Sequence, residues 1–176
     1  MPTSRTRTQS DVYEIRARFR VPLDYAFRWC TDYRSFDGRL SKEGNLRRIL
    51  RRSRRQVIYE DLTPAPEGWV WSRQTVTLHP PDRWTATAWG NYRTWELEYR
   101  LRPRPDGTTE FTMRGLRRPF LLGSKNPSQR SLRAELTRMW RNFGQAMEAD
   151  YRRPRRRSSG PVDRSRRRGA RQRAAR

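Results

Sequence analysis

Hydrophobic residues recur along this chain with two periods, first near two and then near 3.6. Residues 12–21 alternate, with Tyr13, Ile15, Ala17, Phe19 and Val21 on one side and Glu14, Arg16, Arg18 and Arg20 on the other. That pattern predicts a half-buried strand with one wet face. It ends at Pro22. Residues 23–33 are apolar enough for a short buried helix, with Pro22 or Asp24 at its start. Residues 34–44 contain Ser, Asp and two Gly and read as a second short helix or a loop. Strands are predicted at 45–52 and 56–62, joined through Arg54-Arg55. After a break at 63–68, further strands are predicted at 69–78, 84–90, 92–102 and 108–116. His79-Pro80-Pro81-Asp82 and Pro103-Arg104-Pro105-Asp106-Gly107 supply turns. Residues 117–125 read as a connecting loop.

The period then changes. Leu132, Leu136, Met139/Trp140, Phe143 and Met147 recur at spacings of three and four, the stripe of an amphipathic helix. Asn126 is the expected N-cap, Pro127 suits the first helical position, and Pro154 stops the helix. A helix over 126–153 is roughly 42 Å long. Its stripe holds Trp, Phe and two Met, apolar surface that another element must cover.

The predicted order is one strand, one or two short helices, about six consecutive antiparallel strands and a long helix. That order implies an α+β fold with the helix on one face of an antiparallel sheet. A sheet of about seven strands twists and curls. Closed by a long helix, it encloses a space.

Composition narrows the chemistry. The chain has 176 residues, enough for one domain with a substantial core. Its one cysteine, Cys30, excludes an internal disulfide framework, and its one histidine, His79, leaves little for zinc or for a Ser-His-Asp triad. No cofactor or metal is expected. Residues 1–10 are polar and basic, unlike a secretory signal, and no apolar run approaches ~18 residues, so no transmembrane segment is expected. The expected compartment is the cytoplasm. The net charge of +23 is uneven, because residues 152–176 hold 12 arginines against one acid, Asp163. The expected organisation is a disordered lead at 1–11, a folded domain at 12–153 and a disordered Arg-rich tail at 154–176.

Residues 18–33 run Arg-Phe-Arg-Val-Pro-Leu-Asp-Tyr-Ala-Phe-Arg-Trp-Cys-Thr-Asp-Tyr, a strand entering a proline turn and a helix. With the strand count and the closing helix, this order resembles the START-like, polyketide-cyclase-like superfamily of helix-grip proteins (the SRPBCC group). Phe27 stands where that group often has Trp or Phe, and Asp32 where it often has Asp. The resemblance covers about residues 11–152. It implies a curved sheet of about seven strands wrapped around the long helix. It also implies a deep apolar cavity for lipids, sterols, quinones, polyketides or plant metabolites. Some members cyclise or dehydrate their ligand, and others only carry it. No catalytic motif is common to them, so no catalytic residue is transferred.

Candidate site residues follow from strand parity. Trp71, Trp95, Tyr99, Phe111 and Met113 are expected to point inward, with Trp140 and Phe143 opposite them on the helix. Tyr59 and the tryptophans offer polar tips that orient a ligand. Each aromatic has the alternative role of filling the core. Arg73, and likewise Arg93, shares the parity of apolar neighbours, so it either grips a ligand carboxylate or phosphate or pairs with a glutamate near solvent. His79 is either a general base at a loop rim or a solvated turn residue. Asp24 and Asp32 bracket the first helix as capping groups, and Cys30 is a small buried hydrophobe.

Three functions are weighed. The first is binding or transport of a hydrophobic small molecule in an internal cavity between sheet and C-terminal helix. The second is a cyclase- or dehydratase-type enzyme on the same fold, with Tyr59, Tyr99 and Arg73 as the nearest acid–base set. The third is a nucleic-acid-associated protein acting through the basic tail, which could equally meet an anionic membrane surface.

Overall fold

A computed structural model describes residues 11–34, 37, 40, 44–65, 68–91, 93–119 and 128–153. Strand β1 (Asp11–Phe19) leads into helix α1 (Leu23–Thr31). Six strands follow: β2 (Leu46–Arg52), β3 (Gln56–Ala65), β4 (Gly68–His79), β5 (Arg83–Gly90), β6 (Arg93–Pro103) and β7 (Thr109–Pro119). Helix α2 (Gln129–Arg152) closes the described chain. The strands form one antiparallel sheet in the order β1-β7-β6-β5-β4-β3-β2. Strands β2 to β7 meander as sequence neighbours, whereas β1 joins at the far edge beside β7. The chain must therefore cross the concave side between β1 and β2, and α1 lies on that crossing. This is the expected helix-grip arrangement of a curved seven-stranded sheet and a long helix.

The alternating pattern explains most of the inner face. Tyr13, Ile15 and Phe19 of β1, Trp84 and Ala86 of β5, Tyr99 and Leu101 of β6, and Phe111 and Met113 of β7 are all buried. From α2 come Leu132, Trp140 and Met147. The Trp140 ring lies 4.0 Å from that of Phe111, and its indole N–H donates to the Met113 sulfur at 3.3 Å. Trp84 stacks on Tyr99 with centroids 4.9 Å apart. Two glycines permit close approach. A Cβ on Gly115 would meet the Tyr13 ring at 2.1 Å, and one on Gly144 would stand 3.0 Å from Phe19. Gly144 thus lets α2 settle onto β1.

Helix α1 ties the far end. Phe27 packs edge-on against Trp84 and Trp29 against Phe143, while the Trp29 indole N–H donates to Asp150 of α2 at 3.2 Å. Pro22 occupies the N-cap with no side-chain cap bond, and Asp24 instead pairs with Arg28 one turn on, at 2.9 Å. Asp32 occupies the C-cap.

The largest departures from the sequence expectation fall at three element boundaries. Helix α2 begins at Gln129, with the Ser128 hydroxyl accepting from the Ser131 N–H at 3.1 Å. Ser128 is itself a strong capping residue and takes the role assigned to Asn126. Asn126 and Pro127 lie outside the described residues. The break expected from 63 is strand as far as Ala65, with Thr63 and Pro64 in register with Val70 and Trp69. Strand β2 begins opposite Leu62, so a proline beyond that point sacrifices no ladder bond on that side. Strand β7 runs on past Leu116, and Arg117 is buried in register with Trp95 rather than placed in a loop. Asp11, expected in the lead, opens β1; residues 1–10, the Arg-rich tail and most of 34–44 lie outside the described residues.

Replacing Gly115 by Ala is expected to destabilise the fold by about 1–3 kcal/mol, as overpacking does. Chemical denaturation midpoints measure this. In a Tyr13→Leu background the same change should cost less, because the ring it collides with is gone.

Candidate functional site

The concave face is not filled throughout. Between β2–β6 and the first half of α2 lies a cavity of about 510 Å³. The stripe on α2 divides in two. Trp140, Gly144 and Met147 pack closely, whereas Leu136, Met139 and Phe143 are only half-buried and border the space. Trp95, Tyr99, Trp84 and Ala88 form the facing sheet wall, and Trp29, Cys30 and Tyr33 close the end under α1. Pro64, which is exposed, also borders the cavity. Tyr33 itself has a φ of 43°, a left-handed turn after α1 that sets its ring 5.3 Å from Tyr59.

One end of the cavity is polar. Arg47 on β2 and Asp61 on β3 are register partners on the inner face. Arg47 Nε and Nη2 donate to the two Asp61 carboxylate oxygens, each at 2.8 Å, and Nη1 donates to Asp37 at 3.2 Å. The Arg47 side chain is only 11% exposed, and its guanidinium lies 4.2 Å over the centre of the Tyr59 ring. A charge this buried is tolerated only when paired. Burial is the largest influence and opposes the Arg47 charge, yet the Asp61 hydrogen bonds together with the attraction of Tyr59, Asp61 and Asp37 outweigh it and hold the guanidinium above its ordinary range. Burial pushes the Asp37 carboxyl up, against the pull of Arg47. The Tyr59 hydroxyl donates to Gln74 at 2.7 Å, and burial holds the Tyr33, Tyr59 and Tyr99 phenols well above their usual range. Burial likewise raises the Cys30 thiol, and neighbouring Asp32 reinforces this, so it is a poor nucleophile. Asn45 borders the cavity, and its buried side-chain oxygen accepts from no donor among the described residues.

Of the sequence-derived candidates, Tyr59, Trp95, Tyr99, Trp140 and Phe143 line this space together. Phe111 and Met113 do not, because they are buried in the packed core beneath Trp140. Trp71 and Arg73 correct the parity assigned to β4. The inward residues there are Val70, Ser72, Gln74 and Val76. Trp71 borders the cavity only at its edge. Its ring packs edge-on against Trp89, which is 58% exposed on the outer face. Arg73 has a side chain 51% exposed and bonds Glu60 at 2.7 Å, with Arg48 on the other Glu60 oxygen at 3.0 Å. It therefore takes the glutamate-pairing alternative, on the outside. Both faces of β4 carry apolar and polar residues, so aromatic weight misled the parity. The true inner face is polar at Ser72 and Gln74 because it borders a cavity rather than a solid core. The side chain of Arg93 lies outside the described residues. His79 ends β4 away from the cavity, opposite Arg83.

The Arg47–Asp61–Asp37 cluster was missed. An acid at 61, sharing parity with Val57 and Tyr59, was the available signal, since a charge on an apolar face demands a partner. Among the described residues, no group of three metal-ligating side chains comes together.

Sequence comparison finds no matching family model and no similar curated protein. Solved structures share the fold. A protein from Thermus thermophilus aligns with TM-score 0.67 and 10% identity over 80% of this chain and 99% of its own. The Zhui aromatase/cyclase from Streptomyces sp. R1128 aligns with TM-score 0.65 and 11% identity over 81% and 93%. A START superfamily protein from Mycobacterium smegmatis aligns with TM-score 0.58 and 11% identity over 79% and 95%. At such identities the likeness shows the helix-grip fold alone.

Arg47→Met leaves two buried carboxylates without their cation and is expected to destabilise by about 3–5 kcal/mol. Arg73→Leu breaks an exposed pair and should change stability by about 1 kcal/mol or less. Equal effects in urea titrations would contradict the placement of the two arginines. A pH dependence is also expected. Burial raises the Asp32 carboxyl from 3.8 to about 6, with Arg34 opposing and Asp37 reinforcing the shift. The folded state then holds its proton more tightly than the unfolded chain. This contribution is full below about pH 4 and lost as pH rises through about 6. The stability of Asp32→Asn relative to the native protein should therefore rise across that interval and level off above it. A difference that stays flat would remove Asp32 as the source.

Proposed function

We propose that this START-like helix-grip chain binds an apolar, aromatic small molecule in the cavity between its sheet and C-terminal helix. The observation that carries this reading is the space of about 510 Å³ walled by aromatic rings and ended by fixed polar groups. Small-molecule sites commonly measure ~300–1,000 Å³ and combine apolar walls with a few placed polar groups. Within this site, Tyr59, Trp95, Tyr99, Trp140 and Phe143 provide contact surface, and Arg47 with Asp61 stiffens one end. A lipid, quinone or polyketide-like ligand is compatible with such walls.

The cyclase reading draws on the aromatase/cyclase named among the fold neighbours. The bordering side chains favour binding over catalysis. Arg73 lies outside, which separates it from Tyr59 and Tyr99. The cavity tyrosines keep their protons at neutral pH, so they donate hydrogen bonds rather than act as bases. Contact of residues 154–176 with nucleic acid or an anionic membrane rests on their charge alone. Among the described residues, no helix is long and apolar enough to cross a membrane.

The test uses Ala88, a small buried residue on the sheet wall of the cavity. Ala88→Leu fills space rather than displacing packed atoms, so the thermal midpoint should change little. Affinity for 2-methylnaphthalene, measured by calorimetric titration, should fall at least about tenfold, the effect of losing ~1.4 kcal/mol of contact. Unchanged affinity would place the ligand elsewhere.

A further inference from the structure

The cavity differs in charge from the molecule that contains it. The chain carries a net +23, yet the charged side chains bordering the cavity among the described residues are Asp37, Asp61 and Glu135 against Arg47 alone. Arg47 is already committed to both aspartates, so it has no strong claim on a further anion. Arg117 is buried on the inner face of β7 but does not border the space. A ligand carboxylate or phosphate entering here would be desolvated beside surplus negative charge, which disfavours it. At the same end, the Asn45 oxygen is buried and accepts from no donor among the described residues. The neighbouring polar groups are already engaged: the Tyr59 hydroxyl donates to Gln74, and Asp61 holds Arg47 through both oxygens. A buried acceptor left unmatched is costly, and a ligand hydroxyl would satisfy it.

From this we infer that the cavity selects uncharged, hydroxyl-bearing aromatic ligands over anionic ones such as fatty acids or phosphorylated lipids, with Asn45 accepting the ligand hydroxyl. This rests on the cavity-binding reading and gives that site its ligand class. It also runs against what overall charge suggests, because a strongly cationic protein would ordinarily be assigned an anionic ligand.

Three probes of one shape separate the possibilities: 2-methylnaphthalene, 2-naphthalenemethanol and 2-naphthoate, titrated calorimetrically into the full-length protein at neutral pH. The alcohol should bind about tenfold more tightly than the carboxylate. Asn45→Ala should remove most of the alcohol's advantage over the methyl compound while leaving the methyl compound's affinity unchanged. A carboxylate that binds as tightly as the alcohol, or more tightly, overturns the inference. An Asn45→Ala variant that weakens all three probes equally overturns the role given to Asn45. If the methyl compound binds but the alcohol has no advantage, the cavity reading stands and the selectivity falls. If none of the three binds, the cavity reading itself fails.

Discussion

Trp140 is wedged against Phe19, Tyr99 and Phe111, with its indole N–H directed at the Met113 sulfur. The rest of the structure depends on that contact. It fixes α2 against the β1–β7–β6 side of the sheet, where Gly144 lets the helix approach Phe19. Seated there, the 24-residue helix packs on β1 rather than on β2, β3 or β4. The side of the sheet it leaves uncovered is where the cavity lies. The close packing and the empty space are two consequences of one off-centre placement, and α1 bridges them through Trp29, which meets Phe143 and Asp150.

Charge is sorted by face. On the outside of the sheet, arginines pair with acids in exposed ladders such as Arg48–Glu60–Arg73, which contribute little stability individually. Inside, one arginine is shared by two acids and cannot be removed without stranding them. The inner group is held for geometry as much as for energy. It keeps β2 and β3 in register at the polar end of the cavity and places Tyr59 beneath the guanidinium.

Strand order, the closing helix and its stripe were legible because a period of two and a period of 3.6 are written directly in the side chains. On β6, where Trp95, Leu97, Tyr99 and Leu101 alternate with charged residues, parity read correctly. On β4 it inverted. Trp71 and Arg73 looked inward, but Trp69, which shares their parity, is 55% exposed and Ser72 and Gln74 face the cavity. A strand that borders a cavity has a polar inner face and loses the contrast on which parity relies. The Arg47–Asp61 pair was hidden for a related reason. Its partners are 14 residues apart, and β2 is so rich in arginine that the buried one cannot be told from its neighbours by composition. The division of the α2 stripe between core and cavity was also beyond the sequence, because it depends on where the helix sits rather than on which residues it carries.

A high-resolution crystal structure of the protein without added ligand tests the central claim most directly. The account predicts a space of about 510 Å³ bounded by Ala88, Trp95, Leu136, Met139 and Phe143, with Arg47 chelated by Asp61 at its polar end. A filled interior, with Leu136, Met139 and Phe143 packed directly onto Ala88 and Trp95, would contradict it.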